Sequence, residues 1–511
     1  MSRINNGIMR HLEELTLENE RLKEDNKNLR VDNRKLRAEN DRLRKRIDEL
    51  ETGMEEKIAK AVEEAVAKAT APLLELIASK DVEISRLKSQ LGKDSSNSSK
   101  PPGGNGYKKV LNSREKSTNK QGGQHGHRGA RLNVPKNLAE LVEAGMAEHE
   151  VVSEVEEGEA YVSDWTVDIN VTVVYTEHRR KPGAPPKIGY GPKVKSLAVY
   201  LSVVGLIAYQ RLSDFFREVS HGLILASKGT LAGFNRSAAD AVNQEEYEQD
   251  LLNGETINVD DTQIKTSERP GEGGVLETKK KTTFGVYIRT HSNPATTVLT
   301  AHPSKSEETI KTDNILPRFH GILAHDHEAK FYNYGTSNAT CCAHLIRELK
   351  GMSELQMLPW ADGARSFFLE MNEHKLEDLG EGKTSCDAAL LALFEERYDS
   401  FVISGKEQLG SMRPKSLGFD ELRCMTNRLE KRKDNYMLFM RNYAAPFTNN
   451  LAERDLRHCK TRQKVSGCFR SWQGVLEYCR IRSLISTAKK RGQNLLGSLA
   501  QLFLTPSPAG Q

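Results

Sequence analysis

The chain has 511 residues, with 75 Lys and Arg against 70 Asp and Glu, for a formal net charge of +5. At roughly 100–200 residues per domain this length suits three to four domains, and 37% hydrophobic residues plus 38 glycines exclude wholesale disorder. No apolar run reaches the ~18 residues of a membrane span, and the opening residues hold no apolar core like that of a secretory signal.

Residues 1–57 read as a leucine-zipper coiled coil. Leu15, Leu22, Leu29, Leu36, Leu43 and Leu50 recur every seven residues. With these at heptad position d, Asn19, Asn26, Asn33 and Asn40 fall at a. Leucine at d favours a two-stranded parallel coil, and a buried Asn at a fixes register. Acids at g (Glu18, Asp25, Asp32, Glu39) face bases at e (Lys23, Arg30, Arg37, Arg44) across a parallel homodimer. The plainer alternative is a solvated single helix with i,i+4 ion pairs. The expectation is a dimer or higher assembly.

Residues 58–92 extend the helix, with Pro72 expected to kink or divide it. Residues 93–133 break into GKDSSNSSKPPGGNG and a Gly-rich basic strip, which reads as a flexible basic linker. Between Lys93 and Arg131 nine residues are basic and two acidic. Residues 134–190 invert this: from Lys136 to Tyr175 ten are acidic and one basic. The alternating VDINVTVVY there predicts a small β-containing module. Residues 191–254 turn helical. LSDFFREVSHGLILASKGTLAGF has the shape of a helix-turn-helix with Gly222 in the turn, a shape that ordinary helical packing also explains.

Residues 255–333 carry the chemistry. GETINVDDTQIK reads as a strand ending in Asp260 and Asp261. TTFGVYIRTHS and ATTVLTAHP follow as strands, SEETIKTDNILPRF as a helix, and GILAHDHEAKF as a strand ending at Asp326. In a sheet that makes the first and fourth strands neighbours, the two aspartates meet. A ribonuclease-H-like fold has that arrangement, so the expected class is α/β with a ribonuclease-H-like catalytic domain. Before it come the coiled coil and a small α+β or helical DNA-binding region. Paired carboxylates repel unless cations lie between them. Hard divalent ions suit such ligands, and two of them serve phosphoryl transfer.

Residues 334–445 read as a helical insertion. Within it Cys341 and His344 lie one helical turn apart. Two ligands are too few for a metal site, so packing or support of the active site is the expected role. The seven cysteines all lie between 341 and 479 without a CxxC pair, which suggests a reducing, cytoplasmic setting. Residues 446–492 read as a catalytic helix and basic C-terminal part, and 493–511 as a tail. Glu453 is the candidate third carboxylate, in the first turn of its helix. Arg454, Arg457, Lys460, Arg462, Lys464 and Arg470 follow as candidate phosphate contacts. Helix-dipole pairing explains Glu453 equally well. Phe469 and Trp472 are candidates for stacking on a base or for the core.

Together these motifs resemble the insertion sequence 66 family of DDE transposases. The resemblance rests on GKDSSNSSKPP at 92–102, GGQHGHRG at 122–129, VDDT at 259–262, AHDHEAKFYNY at 324–334, CCAHLIREL at 341–349 and NNLAERDLR at 449–457. It implies an enzyme that cuts and joins double-stranded DNA at mobile-element ends and in target DNA. It implies Asp260, Asp326 and Glu453 as catalytic acids, Mg2+ or Mn2+ (two ions) as cofactor, accessory proteins of the same element as partners, and a nucleoid-associated prokaryotic setting. Asp261 stands where the family has Glu. Residues 130–190 lack the cysteines of the zinc module that relatives often carry. The alternatives are a non-catalytic DNA-binding protein derived from a transposase and a structure-specific nuclease of the same fold.

Overall fold

A computed structural model of the chain describes residues 56–94, 96–98, 133–152, 162–179, 188–268 and 283–504. It adds short stretches between 21 and 45 and single residues near 155–160 and at 270. Residues 31–39, including Asn33 and Leu36, are helical. The other zipper positions, Leu15, Leu22, Leu29, Leu43, Leu50, Asn19, Asn26 and Asn40, lie outside the described residues. Helix α1 (Glu56–Gly92) runs on through Pro72 without a break in assignment. The strong helix formers Ala, Leu and Glu around it carry the helix past the one backbone donor a proline lacks.

The chain forms two units, one of residues 1–110, 189–209 and 228–511, the other of 111–188 and 210–227. In the smaller one, α2 (Leu138–Glu143) is a short helix without buried residues. Most of α4 (Tyr209–Val219) also belongs here. It ends in a turn where Gly222 takes φ +83° and Ser220 Oγ accepts from the Ile224 N–H at 2.8 Å. Gly222 thus occupies the turn expected of it. Among the described residues of 134–190, where a β-containing module was expected, no strand forms, and residues 162–179 run without one. The alternation of VDINVTVVY is real, but Val167, Ile169 and Val174 stay exposed. An extended segment without a partner strand makes no ladder.

The larger unit is built on one sheet. Before it come α3 (Pro192–Val203), α5 (Lys228–Ala241) and α6 (Gln244–Leu252). The strands are β1 (Thr256–Thr266), β2 (Phe284–Ser292), β3 (Thr297–His302), β4 (Ile322–His325) and β5 (Ser337–Thr340), in the order β3-β2-β1-β4-β5. β2 pairs antiparallel with both β1 and β3, whereas β4 pairs parallel with β1 and β5 parallel with β4. A short helix α7 (Glu307–Lys311) lies between β3 and β4. One face of the sheet buries Ile257, Val259, Val298 and Leu323 against Leu251, Ile310, Phe319 and Phe331.

Residues 334–445 are mainly helical, but they open with β5, which the sequence reading missed. Four residues, Ser-Asn-Ala-Thr, carry no strand pattern of their own. They pair because β4 offers a buried parallel edge. The helices that follow are α8 (Cys342–Gln356), α9 (Pro359–Gly380), α10 (Ala388–Ser411), α11 (Phe419–Lys431) and α12 (Lys433–Arg441). They share an aromatic-rich core including Phe367, Phe368, Phe394, Tyr398, Tyr436 and Phe439.

The chain then returns to the sheet through α13 (Asn450–Ser466), α14 (Trp472–Lys490) and α15 (Leu495–Gln501). β3 is a sheet edge whose free N–H groups would be costly if buried without partners. α14 satisfies them: Ser483 Oγ accepts from Leu299 N at 2.8 Å and Thr487 Oγ1 from Thr297 N at 3.0 Å. Phe469, between α13 and α14, pairs its backbone with Lys265 and Ser267 at the end of β1. The link between α13 and α14 is thereby held to the end of the first strand.

Candidate metal centre

Side chains alternate along β1. Asn258 and Asp260 take one face, Val259 and Asp261 the other. Val259 pairs with His325 on β4, so the next residues of the two strands, Asp260 and Asp326, leave the ladder side by side. Burial raises the Asp260 carboxyl well above its ordinary range, and the nearby Asp326 charge raises it further. Glu453 adds to the same repulsion. Asp326 and Glu453 lie within 4.8 Å of each other, and the strand register sets Asp260 next to Asp326.

Asn449, fully buried, ties these elements together. Its Nδ2 donates to Val259 O at 2.8 Å and to Asp326 Oδ1 at 3.4 Å, and its Oδ1 accepts from Asn258 Nδ2 at 2.9 Å. Its backbone N–H donates to Cys341 Sγ at 3.1 Å. Asn449 is the N-cap of α13, yet its side chain makes no capping bond and turns to the sheet instead. Four residues later Glu453 follows in the first turn. The buried face of α13 is Ala452, Asp455, Leu456 and Cys459. Asp455 Oδ2 accepts from Ser292 Oγ (2.6 Å) and Thr297 Oγ1 (2.8 Å) and pairs with Lys490 at 2.8 Å. These bonds fix the rotation of α13 and hence the direction of Glu453. Asn449→Ala is expected to lower stability by about 1–3 kcal/mol by leaving buried partners unpaired. Chemical denaturation measures it, and an unchanged midpoint would contradict this role.

The helical insertion contributes to the same place. His344 Nδ1 lies 3.1 Å from Asp326 Oδ1 and 3.8 Å from Glu453 Oε1, and Arg347 lies 3.5 Å from Glu453 Oε1. Asp326, Cys341, His344 and Glu453 each offer a ligand atom within 4.8 Å of the others. Burial opposes charge on His344, but hydrogen bonds to Asp326 and Cys341 outweigh it and hold its pKa at about 10. As a protonated cation it balances acids that would otherwise repel. The sequence reading had Cys341 and His344 one turn apart but not the strand end they reach.

Asp261 is turned away from this cluster. It pairs with Arg289 (2.9 Å) and Lys330 (3.0 Å). Burial alone would raise its carboxyl, yet Arg289 and Lys330 hold it below the ordinary range. Of the adjacent pair, Asp260 is the one facing Asp326.

Residues 187–476, running from just before α3 into α14, match the family model described as Transposase IS66 family. The chain belongs to the IS66 family of transposases. A second model, a family of unknown function, matches residues 57–133. No curated protein matches the chain.

In this IS66 transposase the basic residues after Glu453 divide by environment. Arg454, Arg457, Lys464 and Arg470 are exposed. Lys460 Nζ donates to Gln263 O at 2.6 Å, beside β1. The Arg462 guanidinium lies 4.7 Å from the Phe469 ring centre and 4.8 Å from that of Tyr478. Arg462 thus packs on two aromatic rings rather than standing free for phosphate. Phe469 is buried against Tyr478, which gives it a core role. Trp472 is half-buried, its backbone N–H donating to Glu268 Oε2 at 2.9 Å.

Proposed function

We propose that this transposase is a DDE enzyme that cleaves and joins DNA at mobile-element ends. Its catalytic acids are Asp260, Asp326 and Glu453, set on a ribonuclease-H-like fold. The strand order β3-β2-β1-β4-β5 with mixed pairing supports that fold reading. One observation carries the site reading: the β1–β4 register sets Asp260 beside Asp326, whose carboxylate lies within 4.8 Å of that of Glu453, a crowding of acids that a divalent cation relieves. All-oxygen carboxylate donors fit Mg2+ or Mn2+. When bound, two such ions favour the attacking oxygen and stabilise the leaving one in phosphoryl transfer.

The chain's own residues do the positioning. Asn449 and the β1–β4 register bring Asp260 and Asp326 together. Asp455 aims Glu453. His344 and Arg347 hold the Asp326 and Glu453 carboxylates in place. Arg454, Arg457, Lys464 and Arg470 are the proposed grip on DNA phosphates. Purified protein, Mg2+ and a DNA end from the flanking element should give nicks and joined strands. Metal-independent binding without either product would favour a non-catalytic DNA-binding protein instead.

Replacing Arg454, Arg457 and Lys464 by Gln is expected to flatten the salt dependence of DNA binding. Each lost phosphate contact removes about 0.9 from the slope of log K against log salt. An unchanged slope would move the DNA path elsewhere. A parallel homodimer through residues 12–54 remains the proposed assembly, and crosslinking of the full chain tests it. Among the described residues no helix is long and apolar enough to cross a membrane.

A further inference from the structure

The segment read as the start of a flexible linker is folded onto the catalytic unit. Asp94 Oδ1 accepts from Ser96 N at 2.7 Å and Ser96 Oγ at 2.6 Å. Asn97 Oδ1 accepts from Asp94 N at 2.7 Å, and Asn97 Nδ2 donates back to Gly92 O at 3.1 Å. Ser98 Oγ donates to Asp94 O. This self-bonded turn follows directly on α1 and takes the Asp-x-Ser-Asn-Ser part of the motif for its own hydrogen bonds. Such local side-chain bonds stop a helix and fix the turn that follows.

The turn is also seated. Asn97 is 7% exposed and Ser89, in the last turns of α1, is 6% exposed. A Cβ built on Gly351 of α8 would run into the Asn97 carbonyl oxygen, and one on Gly92 would lie 2.7 Å from Leu355 Cδ2. Lys93 Nζ lies 3.8 Å from Glu421 Oε1 on α11. A glycine in mid-helix weakens the helix, so its position under another backbone marks a close approach. Beside the turn, a cavity of about 420 Å³ reaches His327, the residue after Asp326. Gly351 lies one helical turn beyond Arg347, which touches Glu453.

We propose that residues 92–94 and 96–98 form a docking turn that clamps α1 onto the α8–α11 face of the catalytic unit. Gly351 is the seat for the Asn97 backbone, and Glu421 receives Lys93. The described part of the segment matched by a family of unknown function thereby acquires a role: it ties α1 to the helix that carries His344 and Arg347. This inference does not depend on the catalytic reading, because it is measured by protection rather than by turnover.

The test is hydrogen exchange on the full chain, wild type against Gly351→Ala and Asn97→Ala. Gly351→Ala blocks the seat while giving α8 a better helix former. Amides of residues 89–98 are expected to exchange about tenfold faster or more in both variants. Trypsin cleavage after Lys93 should accelerate in parallel, with the thermal midpoint of the catalytic unit unchanged or raised in Gly351→Ala. Unchanged exchange at 89–98 in both variants would overturn the proposal. So would faster exchange confined to α8, which would show that Gly351 serves the helix and not the turn.

Discussion

Asp260→Asn is expected to abolish DNA cleavage and at the same time make the metal-free protein more stable. The two effects share one cause. Burial and the Asp326 charge hold the Asp260 carboxyl well above its ordinary range, so ionising it in the folded protein is unfavourable. A raised carboxyl pKa costs nothing while the group is protonated. The cost sets in as pH rises past the unfolded value near 3.9 and is complete above the folded value. Metal-free stability should therefore fall with rising pH across that window, and Asp260→Asn should remove this part of the fall. A gain of ~1 kcal/mol would appear as a thermal shift of about 1–2 °C for a unit of this size. Mg2+ should stabilise the wild type and not the variant. Activity should drop by more than about 100-fold, beyond what loss of an outer-shell partner causes. Thermal melts with and without Mg2+ at several pH values, together with a cleavage assay, read all three. A variant that is less stable without metal and still gains from Mg2+ would contradict the assignment of Asp260.

Arg289→Ala is expected to cost about 3–5 kcal/mol of stability, the range for breaking a buried ion pair from one side. Arg289 is fully buried on β2, directly opposite Asp261 in the β1–β2 register. Its guanidinium reaches Asp261 at 2.9 Å and Asp313 at 3.0 Å, and His291 also lies 3.1 Å from Asp313. Burial would raise both carboxyls, but His291 and Arg289 hold Asp313, and Arg289 and Lys330 hold Asp261, below the usual range. Depressed carboxyls stabilise above their unfolded pKa, and that contribution is lost as pH falls through the folded value. The wild type should thus lose stability in acid more steeply than Arg289→Ala. Urea denaturation between pH 3 and 7 measures both the size and the slope. A loss under ~1 kcal/mol would mean that the network is dispensable. The loss also reaches the site, since Asp261 and Asp260 are consecutive on β1.

The acids were legible because each sits in a short, distinctive run: VDDT, AHDHEAKF and NNLAERDLR. The order of strands and helix around them suggested a sheet whose first and fourth strands are neighbours, as β1 and β4 are. The support for those acids was not legible. Asn449 reads as a helix cap, and only the fold shows its amide spanning Val259 and Asp326. Arg289 sits in an apolar strand whose buried partner Asp313 is 24 residues on, a pairing no local pattern encodes. β5 escaped because its four residues have no alternation. The VDINVTVVY run misled for the converse reason, having the alternation without a neighbour. His344 is one turn from Cys341 in any helix. That this turn abuts a strand end is a tertiary fact.

The central claim is that Asp260, Asp326 and Glu453 hold one divalent-ion centre. Iron-directed cleavage of the protein tests it most directly, with Fe2+ standing in for Mg2+ and hydroxyl radicals cutting the backbone close to the ion. Cuts should cluster near residues 258–262, 324–328 and 449–454 and fade as Mg2+ is added. Cuts at only one of these segments, or a pattern that Mg2+ does not suppress, would contradict it.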